Sequence, residues 1–315
     1  MIKPQQQLLP TNPPIIAKDP TKLKYLLIGP PKWGKTTFFT GCPNSILLAF
    51  ESGFSEAECP VIAVNSWDRS FKKRKAGWEQ DEDGVVYTSA MEALEELEAN
   101  NIYDMIIVDT LNAATKMAAD YHCDLARVQH PSDGGEYGRG WDLLQTAPIR
   151  RFINRLTKLG SGVALTTHSK ERTDKDKFGK DRFRRETSLP GGVQELMVAW
   201  SDLIMHGFMS RRRKGKRDRD RYISFDGTNE IIAGTRLRKT FIPANYIVDP
   251  PTMQASTAPW EQWANFFADN PTAGQEAEAN FNKLYRGKDN ENLPDDEEEE
   301  KKRKVNTSYA KKKVN

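Results

Sequence analysis

Leu23-Lys-Tyr-Leu-Leu-Ile-Gly-Pro-Pro-Lys-Trp-Gly-Lys-Thr-Thr-Phe-Phe-Thr40 decides how the chain is read. An apolar run, Leu26 to Ile28, stops at Gly29, and Gly34-Lys35-Thr36 follows, giving G-x-x-x-x-G-K-T between a strand signal and a helix signal. Each residue type has a chemical reason. A polyphosphate needs several backbone N–H groups aimed at its oxygens, and a loop running into a helix start supplies unpaired N–H groups and partial positive charge. Gly34 lets the backbone come close, Lys35 reaches the β- and γ-phosphates, and Thr36 offers a hydroxyl to Mg²⁺. Pro30 and Pro31 lack an N–H and stand at the loop's entry, so the donors come from Trp33 to Thr37. The cradle is therefore Gly29, Pro30, Pro31, Lys32, Trp33, Gly34, Lys35, Thr36 and Thr37, with ATP and Mg²⁺ as the implied cofactors.

Working outward, Ser45–Glu51, Val61–Val64, Tyr103–Thr110 and Gly162–His168 are further apolar strands. Continuous apolar runs separated by helical stretches predict an α/β fold, a mainly parallel central sheet with helices on both faces. Ser89-x-x-Glu92 is a capping box opening a helix whose Met91, Leu94 and Leu97 face the sheet. The helix after Thr110 carries Leu111, Ala114, Ala118, Tyr121, Leu125 and Val128 on one stripe. Trp141 to Leu159 is helical, kinked or restarted at Pro148. Residues 67–87 read as an irregular solvated insertion, 130–140 as a glycine-rich loop and 169–192 as a long polar loop. A C-terminal β-hairpin extension with a basic tip over 211–221 and an edge strand in Ile231–Lys239 complete the core, and a short aromatic helix in Ser256–Asn270 follows it.

At 315 residues the chain holds one large α/β unit with extensions. We divide it into an extended proline-bearing arm (1–20), an ATPase core (21–250), a helical extension (251–286) and a charged tail (287–315) that does not fold alone. Its three cysteines form no C-x-x-C pair, which suits a reducing compartment, and its four histidines show no zinc spacing. A G-x-S-x-G elbow is missing, and neither a signal-peptide core nor a run of membrane-span length is visible. A cytoplasmic protein without membrane contact is expected.

Hydrolysis of a γ-phosphate needs a metal, a positioned water, a base and positive charge on the transition state. Asp109 ends an apolar strand in the Walker B pattern and is the second expected Mg²⁺ residue beside Thr36. Glu51 ends the strand after the cradle, and its position alone fits either a general base or a helix cap.

Ile46-Leu-Leu-Ala-Phe-Glu51-Ser-Gly, Met105-Ile-Ile-Val-Asp109-Thr and Ala164-Leu-Thr-Thr-His168, in that order after the cradle, resemble the RecA-type ATPase core over residues 21–250. The nearest resemblance is to phage-encoded RecA/RadA-like ATPases, the minimal recombinases and single-strand annealing proteins. That resemblance implies a RecA-like P-loop NTPase with Glu51 and Lys35 catalytic and His168 as γ-phosphate sensor, where RecA itself has glutamine. It implies DNA-facing loops at 130–140 and 169–186, and a basic residue given to the neighbouring subunit's ATP, for which Arg236 is the first choice. It also implies a homo-oligomer, ring or filament, working on single-stranded DNA in a bacterial host, with a single-strand binding protein as a further partner.

Composition points to DNA independently. Residues 211–221 carry eight Lys/Arg against two Asp, and 169–186 carry eight against five acids. Such clusters bind backbone phosphates by counterion release. The candidate DNA contacts are Lys170, Arg172, Arg182, Arg184 and Arg185 in the first cluster and Arg211, Arg212, Arg213, Lys214, Lys216 and Arg217 in the second. Tyr137, Trp141, Phe178 and Phe183 are candidates for stacking on bases. The expected activity is a DNA-dependent ATPase serving homologous recombination or strand annealing. A helicase or loader motor, an annealing module using ATP only as an assembly switch, and a P-loop small-molecule kinase are the alternatives.

Overall fold

Alternate residues of β1 (Lys24–Gly29) bury into opposite faces of one sheet, Leu26 and Ile28 into one core, Tyr25 and Leu27 into the other. The computed structural model describes residues 19–55, 57–68, 79–80, 85–175, 179, 181–209, 221–228, 231–237, 242–248, 259–267 and 272–285. Among them, twelve strands form the sheet. After β1 come β2 (Ser45–Ala49), β3 (Val61–Ser66), β4 (Glu79–Gln80), β5 (Val86–Ser89) and β6 (Met105–Asp109). β7 (Gly162–Lys175), β8 (Asp181–Thr187), β9 (Leu203–Met209), β10 (Arg221–Ser224), β11 (Gly234–Thr235) and β12 (Asn245–Ile247) follow.

The spatial order is β12-β10-β9-β1-β7-β6-β2-β3-β5-β4, with β11 on β9 and β8 on β7. All pairings along the path from β9 through β5 are parallel; the antiparallel ones lie towards the margins, apart from β8 on the extension of β7. Helices α2 (Ala90–Asn100), α3 (Leu111–Ala126), α5 (Ala147–Thr157) and α6 (Gly191–Trp200) cover one face. The short α4 (Arg139–Trp141) precedes α5. α1 (Lys35–Thr40) and the aromatic α7 (Pro259–Ala264) cover the other face, and Ala273 and Ala277 of α8 (Ala273–Tyr285) pack beside them. β1 therefore sends its helix to one face, while β6, on the far side of β7, sends α3 to the other. That reversal opens a crevice at the carboxyl ends of the strands, where such folds bind ligands.

The sheet, its parallel centre and the helices on both faces are as expected from the apolar runs, and β9 with β10 forms the antiparallel C-terminal extension. Four local readings change. Val86–Ser89, overlapping the end of the supposed insertion, is a strand on β3, legible only as a short β-branched and aromatic run beside an acidic stretch. The polar loop after His168 is a two-stranded ribbon, because β7 continues past the sheet and β8 pairs with it from Ser169↔Thr187 to Lys175↔Asp181. Both faces of that ribbon are polar, so it carries no apolar alternation. Leu125 is exposed, and Ala119 and Cys123 take the place expected for Leu125 on the buried stripe of α3. Pro148 restarts the helix as expected, sitting in the first turn of α5 directly after a wide π-turn over Asp142–Thr146, which absorbs the missing N–H. Of the expected edge strand in Ile231–Lys239, the described residues 231–237 pair as a strand only at Gly234–Thr235, and the tip of the basic hairpin and the chain ends lie outside the described residues.

The phosphate loop is tied to β9 by Trp33. Its ring is fully buried, and its indole N–H donates to the Phe208 carbonyl at 2.8 Å. Gly207 leaves room for that ring: a Cβ there would stand 2.6 Å from Trp33 Cε2. Gly207→Val should destabilise the fold by about 1–3 kcal/mol through overpacking, read as a lowered Tm in thermal melts, with Gly207→Ala milder. An unchanged Tm for the valine variant would show that Trp33 is not held against β9.

Candidate active site

Lys35, Thr36, Glu51, Asp109 and His168 come from four separate strand ends, and the parallel order β1-β7-β6-β2 brings them together. Gly29 ends β1, Pro30 to Gly34 make the turn, and Lys35, Thr36 and Thr37 form the first turn of α1. Gly34 has φ +94°, a left-handed conformation that favours glycine. Lys32, at φ 61°, and Pro31 face outward, whereas the Trp33 side chain is turned into the core and its N–H donates to the Pro30 carbonyl at 3.3 Å.

The Asp109 carboxylate is engaged at both oxygens. Oδ2 accepts the Thr36 hydroxyl at 2.5 Å, and Oδ1 accepts the hydroxyl of the fully buried Thr166. The Asp109–Thr110 peptide is cis. Glu51 Oε1 accepts the Thr110 hydroxyl at 2.5 Å and lies 3.6 Å from His168 Nε2. Glu51 stands beyond β2 with its carboxylate partly open to solvent, and no helix starts there for it to cap. Lys35 is 6% exposed, and its Nζ reaches the Gly29 carbonyl (3.2 Å), the Pro30 carbonyl (3.1 Å) and His168 Nδ1 (3.4 Å). Burial lowers the Lys35 pKa, against the opposing pull of the Asp109 and Glu51 carboxylates.

Asn112, at the start of α3, holds His168 from behind. Its Oδ1 accepts the His168 N–H at 3.0 Å and the Thr167 hydroxyl at 2.8 Å, and its Nδ2 donates to Ser188 Oγ at 2.8 Å. The Ser188 N–H returns to the His168 carbonyl at 2.8 Å. His168 is thus the last residue of the parallel sheet and the root of the ribbon. Thr36 and Asp109 offer hard oxygen donors side by side, a set that suits Mg²⁺. Among the described residues no three His, Cys, Asp or Glu cluster to hold a metal alone. A divalent ion would therefore share its shell with phosphate oxygens and water.

The expected DNA contacts divide. Lys170, Arg172 and Arg184 share one ribbon face, and Glu186 on the same face lies 3.3 Å from Lys170 and 3.9 Å from Arg172. Arg185 is on the opposite face, 3.3 Å from Glu171, and lies over the Phe208 ring at 5.3 Å. Phe183 is half exposed on that second face. The Arg182 side chain, Phe178 and residues 211–217 lie outside what is described. The 130–140 segment contains a 3₁₀ turn over Pro131–Gly134 capped by His130, and a Cβ at Gly140 would collide with the Pro131 carbonyl. Tyr137 is fully exposed there, and Trp141 meets His130 edge-to-face at 4.8 Å. Arg236 is exposed near the starts of β1 and β9, the opposite end of the sheet from Gly29, and its guanidinium donates to the Ala199 carbonyl.

Sequence reasoning did not single out Thr110, Asn112, Thr166 or Arg221, which touch the site. The signal for Thr166 was a hydroxyl in an otherwise apolar strand, and for Thr110 its place next to Asp109.

A family model described as an AAA domain matches residues 21–237. The SPbeta prophage-derived uncharacterized protein YorG of Bacillus subtilis (strain 168) is 27% identical over 167 residues, 53% of this chain. The match spans 46% of that relative's length. The flagellar accessory protein FlaH from Methanocaldococcus jannaschii aligns with a TM-score of 0.37 at 13% identity, covering 74% of this chain and 88% of its own.

Beside the site, His206 on β9 is 1% exposed, stacks on Phe208, and holds Nδ1 3.3 Å from the Ile232 carbonyl. Burial, helped by the Arg185 charge, lowers its pKa to about 4 although the Ile232 carbonyl pulls the other way. The unfolded chain takes this proton near pH 6.5, so stability contributed by neutral His206 is complete above that value. It falls as pH drops towards about 4, by on the order of 3 kcal/mol. Denaturant titrations from pH 7 to 4 should show this slope, and His206→Phe should flatten it.

Proposed function

Because the chain belongs to the AAA-domain family of P-loop ATPases, we propose that it is a Mg-ATP hydrolase whose nucleotide state sets its grip on single-stranded DNA. The observation that carries this reading is the convergence of Lys35, Thr36, Glu51, Asp109 and His168 at the root of a basic ribbon. The prophage-derived relative supports a phage setting. In that setting the protein works as a RecA-like recombinase or annealing factor, assembled as a homo-oligomer on DNA in the host cytoplasm.

Each side chain has a role. Lys35 leaves the Gly29 and Pro30 carbonyls for the stronger charge-assisted bond to phosphate oxygens. Thr36 and Asp109 would hold Mg²⁺, which when bound offsets phosphate charge, and the Thr166 hydroxyl keeps the Asp109 carboxylate aimed. Glu51, held by the Thr110 hydroxyl, takes the proton of the attacking water. His168 lies between Lys35 and Glu51 and reads the γ-phosphate, while its main chain forms the first rung of the ribbon. Lys170, Arg172 and Arg184, together with the 211–217 cluster, meet DNA phosphates.

ATP turnover measured with and without single-stranded DNA tests the whole reading, and turnover indifferent to DNA would remove the coupling. Lys35→Ala should abolish ATP binding. Glu51→Gln should bind ATP normally yet turn it over about a hundred- to ten-thousandfold more slowly. Neutralising Arg211, Arg212, Arg213 and Lys214 should weaken single-strand binding and flatten its salt dependence, with unchanged binding placing the DNA elsewhere.

A further inference from the structure

Arg221 opens β10, directly after the basic segment 211–220, yet its side chain runs to the phosphate loop. Nη1 donates to the Trp33 carbonyl at 3.1 Å. The same guanidinium covers Gly34. A Cβ built on Gly34 would overlap Nη1 and stand 3.4 Å from Cζ, and among the described residues it would meet nothing else within 4 Å. Gly34 is the position whose missing side chain lets a phosphate come close, and Arg221 fills the space so cleared.

We propose that Arg221 is a ligand of the nucleotide's phosphates, supplied within the same chain from the strand that follows the basic segment. Without nucleotide its Nη1 donates to the Trp33 carbonyl, a neutral acceptor. With nucleotide it turns to phosphate oxygens, which the planar guanidinium fork binds in a bidentate, charge-assisted manner. Arg221 lies over Gly34, whereas Lys35 reaches the Gly29 and Pro30 carbonyls, so the two cations bracket the loop at different points. The inference rests on the nucleotide-binding reading and adds a second phosphate cation to it.

The test is titration of full-length wild type, Arg221→Ala and Arg221→Lys with Mg-ATP, Mg-ADP and adenosine over a range of salt, with thermal melts alongside. Arg221→Ala should bind Mg-ATP about tenfold to a hundredfold more weakly. Its loss should shrink for Mg-ADP and vanish for adenosine, its salt dependence should flatten, and Arg221→Lys should recover part of the affinity. Were wild type to bind Mg-ATP and Arg221→Ala to bind it equally well, this inference alone would fall. Tighter binding by the alanine variant would also overturn it, since Arg221 would then be a plug. Equal losses for all three compounds would overturn it by making Arg221 a brace for the loop's shape. A wild-type protein that binds none of the phosphates would sink the nucleotide reading and this one together.

Discussion

A carboxylate at the end of a buried strand is costly unless each of its oxygens finds a donor or a cation. Asp109 meets that demand with two hydroxyls from two different elements, Thr36 on α1 and Thr166 on β7. The two bonds pin the phosphate loop, the Asp109 strand and the His168 strand into one register. With that register set, Lys35 reaches His168, and His168 comes within ion-pair range of Glu51. The chemistry of the site depends on this one acid being satisfied from both sides.

The second organising contact is the one from Trp33 to β9. A tryptophan within a phosphate loop, directly before the second motif glycine, is turned wholly into the core and bonded to the Phe208 carbonyl. The ring occupies the space that Gly207 leaves, and the loop is thereby fastened to the antiparallel margin of the sheet. Arg221 on the next strand touches the same loop at the Trp33 carbonyl. Nucleotide site and C-terminal extension are consequently one mechanical unit, whose coupling runs through two residues that bear no resemblance to a motif.

The basic character of the ribbon is also redistributed by pairing. Strand alternation puts Lys170, Arg172 and Arg184 on one face and Arg185 on the other, where Glu171 and the Phe208 ring take it up. Glu186 tempers the first face. A count of charges along 169–186 treats these residues as equivalent, and only their side of the ribbon separates a surface cation from one turned towards the sheet.

Sequence alone determined the cradle, the parallel sheet, the capping box at Ser89–Glu92 and the acids that end two strands. These signals are local: a motif of fixed spacing, apolar runs buried on both faces, and a helix start whose partners lie three residues apart. It did not determine the ribbon, whose two polar faces look like a loop, or the partners of the acids, which come from strands far apart in the chain. The inward turn of Trp33 and the reach of Arg221 across 188 positions to the Trp33 carbonyl belong to the same class. Such contacts exist only after the strands have taken their order, because strand order is what converts separations along the chain into hydrogen-bond distances.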